Sequence, residues 1–129
     1  MENLDFTRRF IDHYNETGEF PWDAVDPDTV WVIDPAAWLG GTYRGHEGLR
    51  TLLGRLAEVF DQVRYEVDEL IEVGDSVVVL GRMCVRGAQS GATTSQQLAL
   101  VTQSRNGLLM TYRSYLRRED ALEAVGLRA

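Results

Sequence analysis

The chain is poor in the residues that build the commonest reactive centres. Cys84 is its one cysteine. No internal disulfide can form, and a reducing compartment fits. The two histidines, His13 and His46, lie far apart in sequence, without H-x-x-x-H helical spacing and without a cysteine partner. They do not make a metal pair, and no metal site is expected. The serine-elbow pattern G-x-S-x-G is absent, as are the phosphate loops G-x-G-x-x-G and G-x-x-x-x-G-K. No cofactor is signalled. Basic residues are outnumbered, 13 against 20 acidic, giving a net charge of −7. That balance disfavours nucleic acid and anionic membrane surfaces as partners. No apolar run approaches the roughly 20 residues of a membrane span. The start, Met1-Glu2-Asn3-Leu4-Asp5, lacks the basic flank and apolar core of a signal peptide. A soluble, cytoplasmic protein is expected.

What is present suits one globular domain over residues 1–129, with 44% apolar and 26% charged residues. Leu4, Phe6, Phe10, Ile11 and Tyr14 recur at helical spacing and Gly18 stops them, predicting a helix over about 4–16. A helical turn at 20–25 and a strand at 29–34 follow. After a loop comes a short strand at 42–44. Leu49, Leu52, Leu53, Leu56 and Phe60 form the clearest amphipathic stripe. From Val63 the period changes to two. Gly74-Asp75 and Asn106-Gly107 read as hairpin turns. Residues 94–104 and 108–117 read as long strands, and 121–126 as a short terminal helix. Helices gathered early and a sheet built late make an α+β plan. A strongly bent, mostly antiparallel sheet wrapped around N-terminal helices leaves a cone-shaped space.

Asp34 ends an apolar strand, Val30-Trp31-Val32-Ile33, and precedes Pro35. A carboxylate at the mouth of an apolar cavity can carry a proton. Equally, an Asp-Pro turn uses such a side chain to accept backbone N–H groups. Tyr14 is either a hydroxyl donor or a core tyrosine. Trp22, Trp31, Trp38 and Tyr43 cluster in sequence around the first strand, and aromatic walls suit a flat apolar ligand. Trp38, beside Gly40 and Gly41, reads as a lid or wall. Tyr112 reaches the pocket from the last strand unless strand parity sends Tyr115 inward instead. Arg82, Arg86, Gln96, Arg113 and Arg117 are expected on one outward sheet face.

Several segments together resemble the nuclear transport factor 2-like superfamily and its SnoaL-like branch. They are Tyr14, residues 28–35, residues 43–50 (Tyr-Arg-Gly-His-Glu-Gly-Leu-Arg), residues 73–82 and residues 106–116. The resemblance implies a cone-shaped α+β fold with an apolar pocket, a small hydrophobic molecule as partner, and a homodimer. It is similar to ketosteroid isomerase in placing an aspartate before a proline, Asp34, where that enzyme has its general base. Tyr14 falls on its first-helix oxyanion donor. The region of its second donor, residues 99–101 here, is apolar. The acid and histidine of SnoaL-type polyketide cyclases fall near Ser114 and Leu100, and the Asp-Arg-Asp relay of limonene epoxide hydrolase is absent. The resemblance thus implies Asp34 and Tyr14 as catalytic residues of an isomerase, cyclase or dehydratase without cofactor. Trp31, Trp38, Tyr43 and Tyr112 would bind the ligand. A non-catalytic ligand-binding or dimeric scaffold protein is the alternative.

Overall fold

A computed structural model describes residues 2–127. The first apolar stripe forms helix α1, Glu2–Thr17. It ends where Gly18, at φ +75°, returns its N–H to the Tyr14 carbonyl at 2.8 Å. That left-handed stop favours glycine. A 3₁₀ turn, Trp22–Ala24, leads into β1, Val25–Ile33. Then come β2, Gly41–Arg44, and the amphipathic helix α2, Gly45–Val59, which buries Leu49, Leu52 and Leu56. Five strands follow: β3 (Phe60–Val73), β4 (Ser76–Gly87), β5 (Thr93–Gln97), β6 (Ala99–Arg105) and β7 (Leu108–Tyr115). Helix α3, Arg118–Ala124, closes the described chain. No helix among the described residues is long and apolar enough to cross a membrane.

The strands form one open sheet in the order β2-β1-β7-β6-β4-β3, with β5 beside the later half of β4. All pairings are antiparallel except β1 with β7. Both predicted hairpins form. Asn106 and Gly107 have φ of +54° and +75°, as a type I′ turn requires. The strand expected at 94–104 is instead two, broken at Leu98, whose N–H reaches the Gly81 carbonyl at 3.1 Å. Opposite this break, β3 carries an extra residue between Val67 and Glu69. A Cβ on Gly81 would stand 2.0 Å from the Glu66 carbonyl oxygen. A bulge, a glycine and a strand break thus fall in one line across the sheet. Each device bends or twists a strand locally, and together they curl the sheet around α1 and α2.

The inner face holds two apolar clusters. Phe20, Trp31, Tyr43, Leu49, Leu52 and Leu56 pack in one, and Ile11, Tyr65, Val77, Val79, Leu98 and Leu100 in the other. On the outer face, α3 lays Ala121, Leu122 and Val125 over Val78, Leu80, Ala99 and Val101. The outer face further along carries charge. Arg82 pairs with Glu66 at 3.2 Å and Asp68 at 3.1 Å, and Arg86 with Asp61 at 2.7 Å. Such exposed pairs contribute little to stability. Gln96 does not join them. It pairs in register with inward-facing Met83, while Arg82 pairs with Gln97, so the break at Leu98 sets a parity that spacing alone does not reveal.

Strand β3 is an edge of the sheet, a place where unpaired backbone groups invite association. Asn15 covers it. Its side-chain N–H₂ donates to the Tyr65 carbonyl at 2.8 Å, and its oxygen accepts the Tyr65 N–H at 2.9 Å. One amide therefore does what a neighbouring strand would do and ties α1 to the sheet. Asn15→Ala removes both bonds and is expected to lower unfolding stability by about 1–3 kcal/mol, measured by urea denaturation. Unchanged stability would show that the edge needs no such cover.

Candidate functional site

The curl of the sheet leaves a cavity of about 90 Å³ between its inner face and the two long helices. Helix α1 contributes Phe10, Ile11 and Tyr14, and α2 contributes Leu52 and Leu56. Trp31 and Ile33 come from β1, Tyr65 from β3, Met83 from β4, Gln96 from β5, Leu100 from β6 and Tyr112 from β7. Trp38 and Ala37 close one side from the loop after β1. The walls contain no aspartate, glutamate, histidine or cysteine. Their polar groups are three phenols, the Gln96 amide and Arg64.

Tyr112 faces inward and Tyr115 outward. Tyr112 pairs in register with Trp31 and Thr102, and its ring stacks on Trp31 at 4.0 Å and 12°. Such stacking contributes about 0.5–1.5 kcal/mol beyond burial. Tyr115 packs in the cluster beneath α3. Trp31 is further fixed by its indole N–H, which donates to Thr29 Oγ1 at 3.2 Å. The Tyr65 hydroxyl donates to the Leu98 carbonyl at the strand break. Neither the Tyr14 nor the Tyr112 hydroxyl bonds to another described residue, yet no buried side-chain polar atom lacks a partner. Neither hydroxyl is therefore fully occluded, and both residues line the cavity.

Their chemistry follows from that setting. Burial, with the Glu19 carboxylate adding to it, pushes the Tyr14 phenol up to about 12. Burial, then the nearby Tyr14, raises Tyr112, and burial first and Tyr112 next raise Tyr65. A phenol so raised stays protonated and donates hydrogen bonds; it is no base at neutral pH.

Asp34 lies at the end of β1 but is not among the cavity walls. Its Oδ1 accepts the Ala36 N–H at 3.0 Å and its Oδ2 the Leu116 N–H at 3.2 Å. Its own N–H donates to Ser114 Oγ at 3.1 Å, and its carbonyl accepts Ala37 N–H at 2.8 Å. The carboxylate thus clasps the loop that carries Trp38 to the end of β7. At the far end of that loop a Cβ on Gly40 would meet the Asp34 carbonyl oxygen at 2.4 Å, so only glycine closes it. Tyr43 also lies outside the cavity. Its hydroxyl donates to the Leu39 carbonyl and accepts from Arg55, both at 2.8 Å. Trp38 is half-buried and packs near Phe60 at 5.6 Å. Trp22 stands against His46 and beneath Arg50, and the His46 ring N–H bonds the Val25 carbonyl at 2.8 Å. Among the described residues no cluster of three metal-binding side chains occurs.

Spacing alone did not single out Tyr65, Met83, Gln96 or Leu100 as cavity residues. Period-two alternation offers the signal for Tyr65, inward with Val63 and Val67; for Gln96 the register hides it.

The raised phenols bind protons that the unfolded chain has released above about pH 10. Stability contributed by them is complete below pH 10 and is lost as pH rises toward 12 and beyond. Urea midpoints should be flat from these groups between pH 7 and 9. Above pH 10 they should fall, the unfolding free energy dropping by about 1.4 kcal/mol per pH unit for each phenol still protonated. In Tyr112→Phe the alkaline fall should be shallower. A fall of equal slope in that variant would contradict the assignment.

A family model described as a SnoaL-like domain matches residues 7–118. No curated protein matches the chain. Solved structures do. An NTF2-like protein of unknown function from Burkholderia pseudomallei K96243 is 22% identical over 98% of both chains, with a TM-score of 0.76. TerC, co-crystallized with polyporic acid, is 23% identical over 97% of this chain and 98% of its own, with a TM-score of 0.77. A hypothetical protein with a ketosteroid isomerase-like fold from Catenulispora acidiphila DSM 44928, in complex with trimethylamine, is 15% identical over 95% and 92%, with a TM-score of 0.72. At these identities the likeness is one of fold. With most of its length matched by the family model and its curled sheet closing over α1 and α2, the chain belongs to the SnoaL-like domain family.

Proposed function

We propose that the chain binds a small, neutral, largely apolar molecule carrying a hydrogen-bond acceptor such as a carbonyl oxygen. One observation carries this reading: an apolar cavity lined by two tyrosines whose hydroxyls have no partner among the described residues, with no carboxylate or imidazole in its described walls. A neutral acceptor gains a bond from Tyr14 or Tyr112 that water otherwise supplies. An anion would leave water for a cavity whose only cationic wall residue, Arg64, is itself exposed, which is costly. That TerC was crystallized with polyporic acid supports a small organic ligand in this fold. The site has donors for a developing negative charge but no wall residue able to take up a proton, so binding, rather than isomerisation or cyclisation, is the function proposed.

The homodimer remains a proposal too. Beyond the part that α3 covers, the outer face around Arg82 and Arg86 has its arginines already paired within the sheet, leaving a surface of little net charge for a second copy. Sedimentation at micromolar concentration should give twice the chain mass; a single-chain mass would overturn it.

Cyclohexanone and its oxygen-free isostere methylenecyclohexane separate binding by shape from binding by hydrogen bond. Wild-type protein should bind the ketone more tightly in calorimetry. Tyr112→Phe should cost the ketone about 5–10-fold, from ~1 to 1.5 kcal/mol, and leave the isostere unchanged. Equal losses for both would contradict the donor role. Asp34→Asn should leave both affinities within about twofold while lowering stability by ~1–3 kcal/mol, because an amide cannot accept at both positions. The acid/base role expected of Asp34 makes the opposite prediction, unchanged stability.

A further inference from the structure

A second space adjoins the cavity. It is a cleft of about 320 Å³ between the end of α1, α2 and the start of β3. Tyr14, Leu56, Val63 and Arg64 wall both spaces, so the two adjoin along these side chains. Their characters differ. Inside, apart from the phenols, Gln96 and Arg64, the walls are apolar. Outside, the cleft adds Asn15, Glu19, Asp61 and Gln62 to Leu53, Ala57 and Phe60.

The outer charges are largely spoken for. Asp61 pairs with Arg86 at 2.7 Å, Glu19 accepts the Trp22 indole N–H at 3.3 Å, and Asn15 is engaged by the Tyr65 backbone. Gln62 makes no hydrogen bond to another described residue and is exposed. Beside it, β3 runs along the sheet edge with no strand beyond. With Asp61 neutralised by Arg86 and Glu19 offset by Arg64 in the same walls, the cleft carries little net charge and offers amide and backbone hydrogen bonding. Tyr14 walls both spaces: burial and then Glu19 raise its phenol, and it in turn adds to the rise at Tyr112.

Size points the same way. The inner cavity, about 90 Å³, falls short of the roughly 300–1,000 Å³ of ordinary ligand clefts, so a ligand of ordinary size seated there must extend beyond it, and the space it adjoins is the outer cleft of about 320 Å³. We infer that the site has two compartments and takes an elongated amphipathic molecule: an apolar ring inside, and an uncharged, hydrogen-bonding tail in the outer cleft, threaded past Tyr14, Leu56 and Val63. This rests on the binding reading above and names the ligand class for it.

Two probes test it: methylcyclohexane, which is ring only, and 5-cyclohexylpentanamide, a ring with a tail ending in an amide. The tailed probe should bind at least tenfold more tightly. Ala57 is exposed on α2 and walls only the outer cleft, so Ala57→Trp should fill that cleft without unfolding the protein. This variant should remove the tailed probe's advantage and leave methylcyclohexane within twofold. Ala37→Leu, which fills the inner cavity alone, should weaken both probes. If methylcyclohexane binds and the amide binds no tighter, or if Ala57→Trp spares the amide, the two-compartment inference is overturned while the inner site stands. If neither probe binds while cyclohexanone does, the two-compartment inference alone falls; if cyclohexanone fails as well, both readings fall.

Discussion

The bend in the sheet is the constraint on which everything else depends. It is made of three small features in register: the extra residue of β3 between Val67 and Glu69, Gly81 of β4, and the break at Leu98. Glycine is required at position 81 because the Glu66 carbonyl already fills the space of a Cβ. Without this line the long strands would run straight, and α1 and α2 would pack on a flat face with no enclosed space. With it, the inner residues converge on one cavity. The Tyr65 hydroxyl anchors to the Leu98 carbonyl at the bend itself, so the feature that shapes the cavity also fixes one of its three phenols.

Aromatic packing then decides which polar groups are free. Phe20 meets Trp31 at 4.9 Å, and Trp31 stacks on Tyr112. This continuous aromatic wall holds the Tyr112 ring in place at the cavity, its hydroxyl without a partner among the described residues. Desolvation does the rest, keeping the phenols protonated and therefore donating. Asp34 is not among the walls, and its carboxylate is taken up by the Ala36 and Leu116 N–H groups. Its carboxylate holds the loop bearing Trp38, so it bears on the cavity through the position of that wall.

Much of the fold was legible in the sequence. The stripes of α1 and α2, the stop at Gly18 and both hairpins followed from spacing and turn chemistry, because those signals are local. What was not legible depended on contacts distant in sequence. The use of Asp34 is decided by Leu116 and Ser114, some eighty residues away, which no local pattern reports. Tyr43 looked like a wall residue by its company, but the Leu39 carbonyl and Arg55 hold it beneath α2. Gln96 was expected outward because a regular strand was assumed; the break at Leu98 resets which side chains face in. Tyr14, Trp31, Trp38 and Tyr112 did reach the cavity, being inward-facing by helical period, by strand parity or by the tight loop after β1.

In the binding reading proposed for the cavity, the working groups are phenol donors. A crystal structure of the protein soaked with cyclohexanone tests it most directly. The account predicts the ring between Trp31, Leu100 and Leu52, with its oxygen within hydrogen-bond distance of the Tyr14 or Tyr112 hydroxyl. A ketone oxygen directed at Asp34, or a ligand found only outside the cavity, would contradict it.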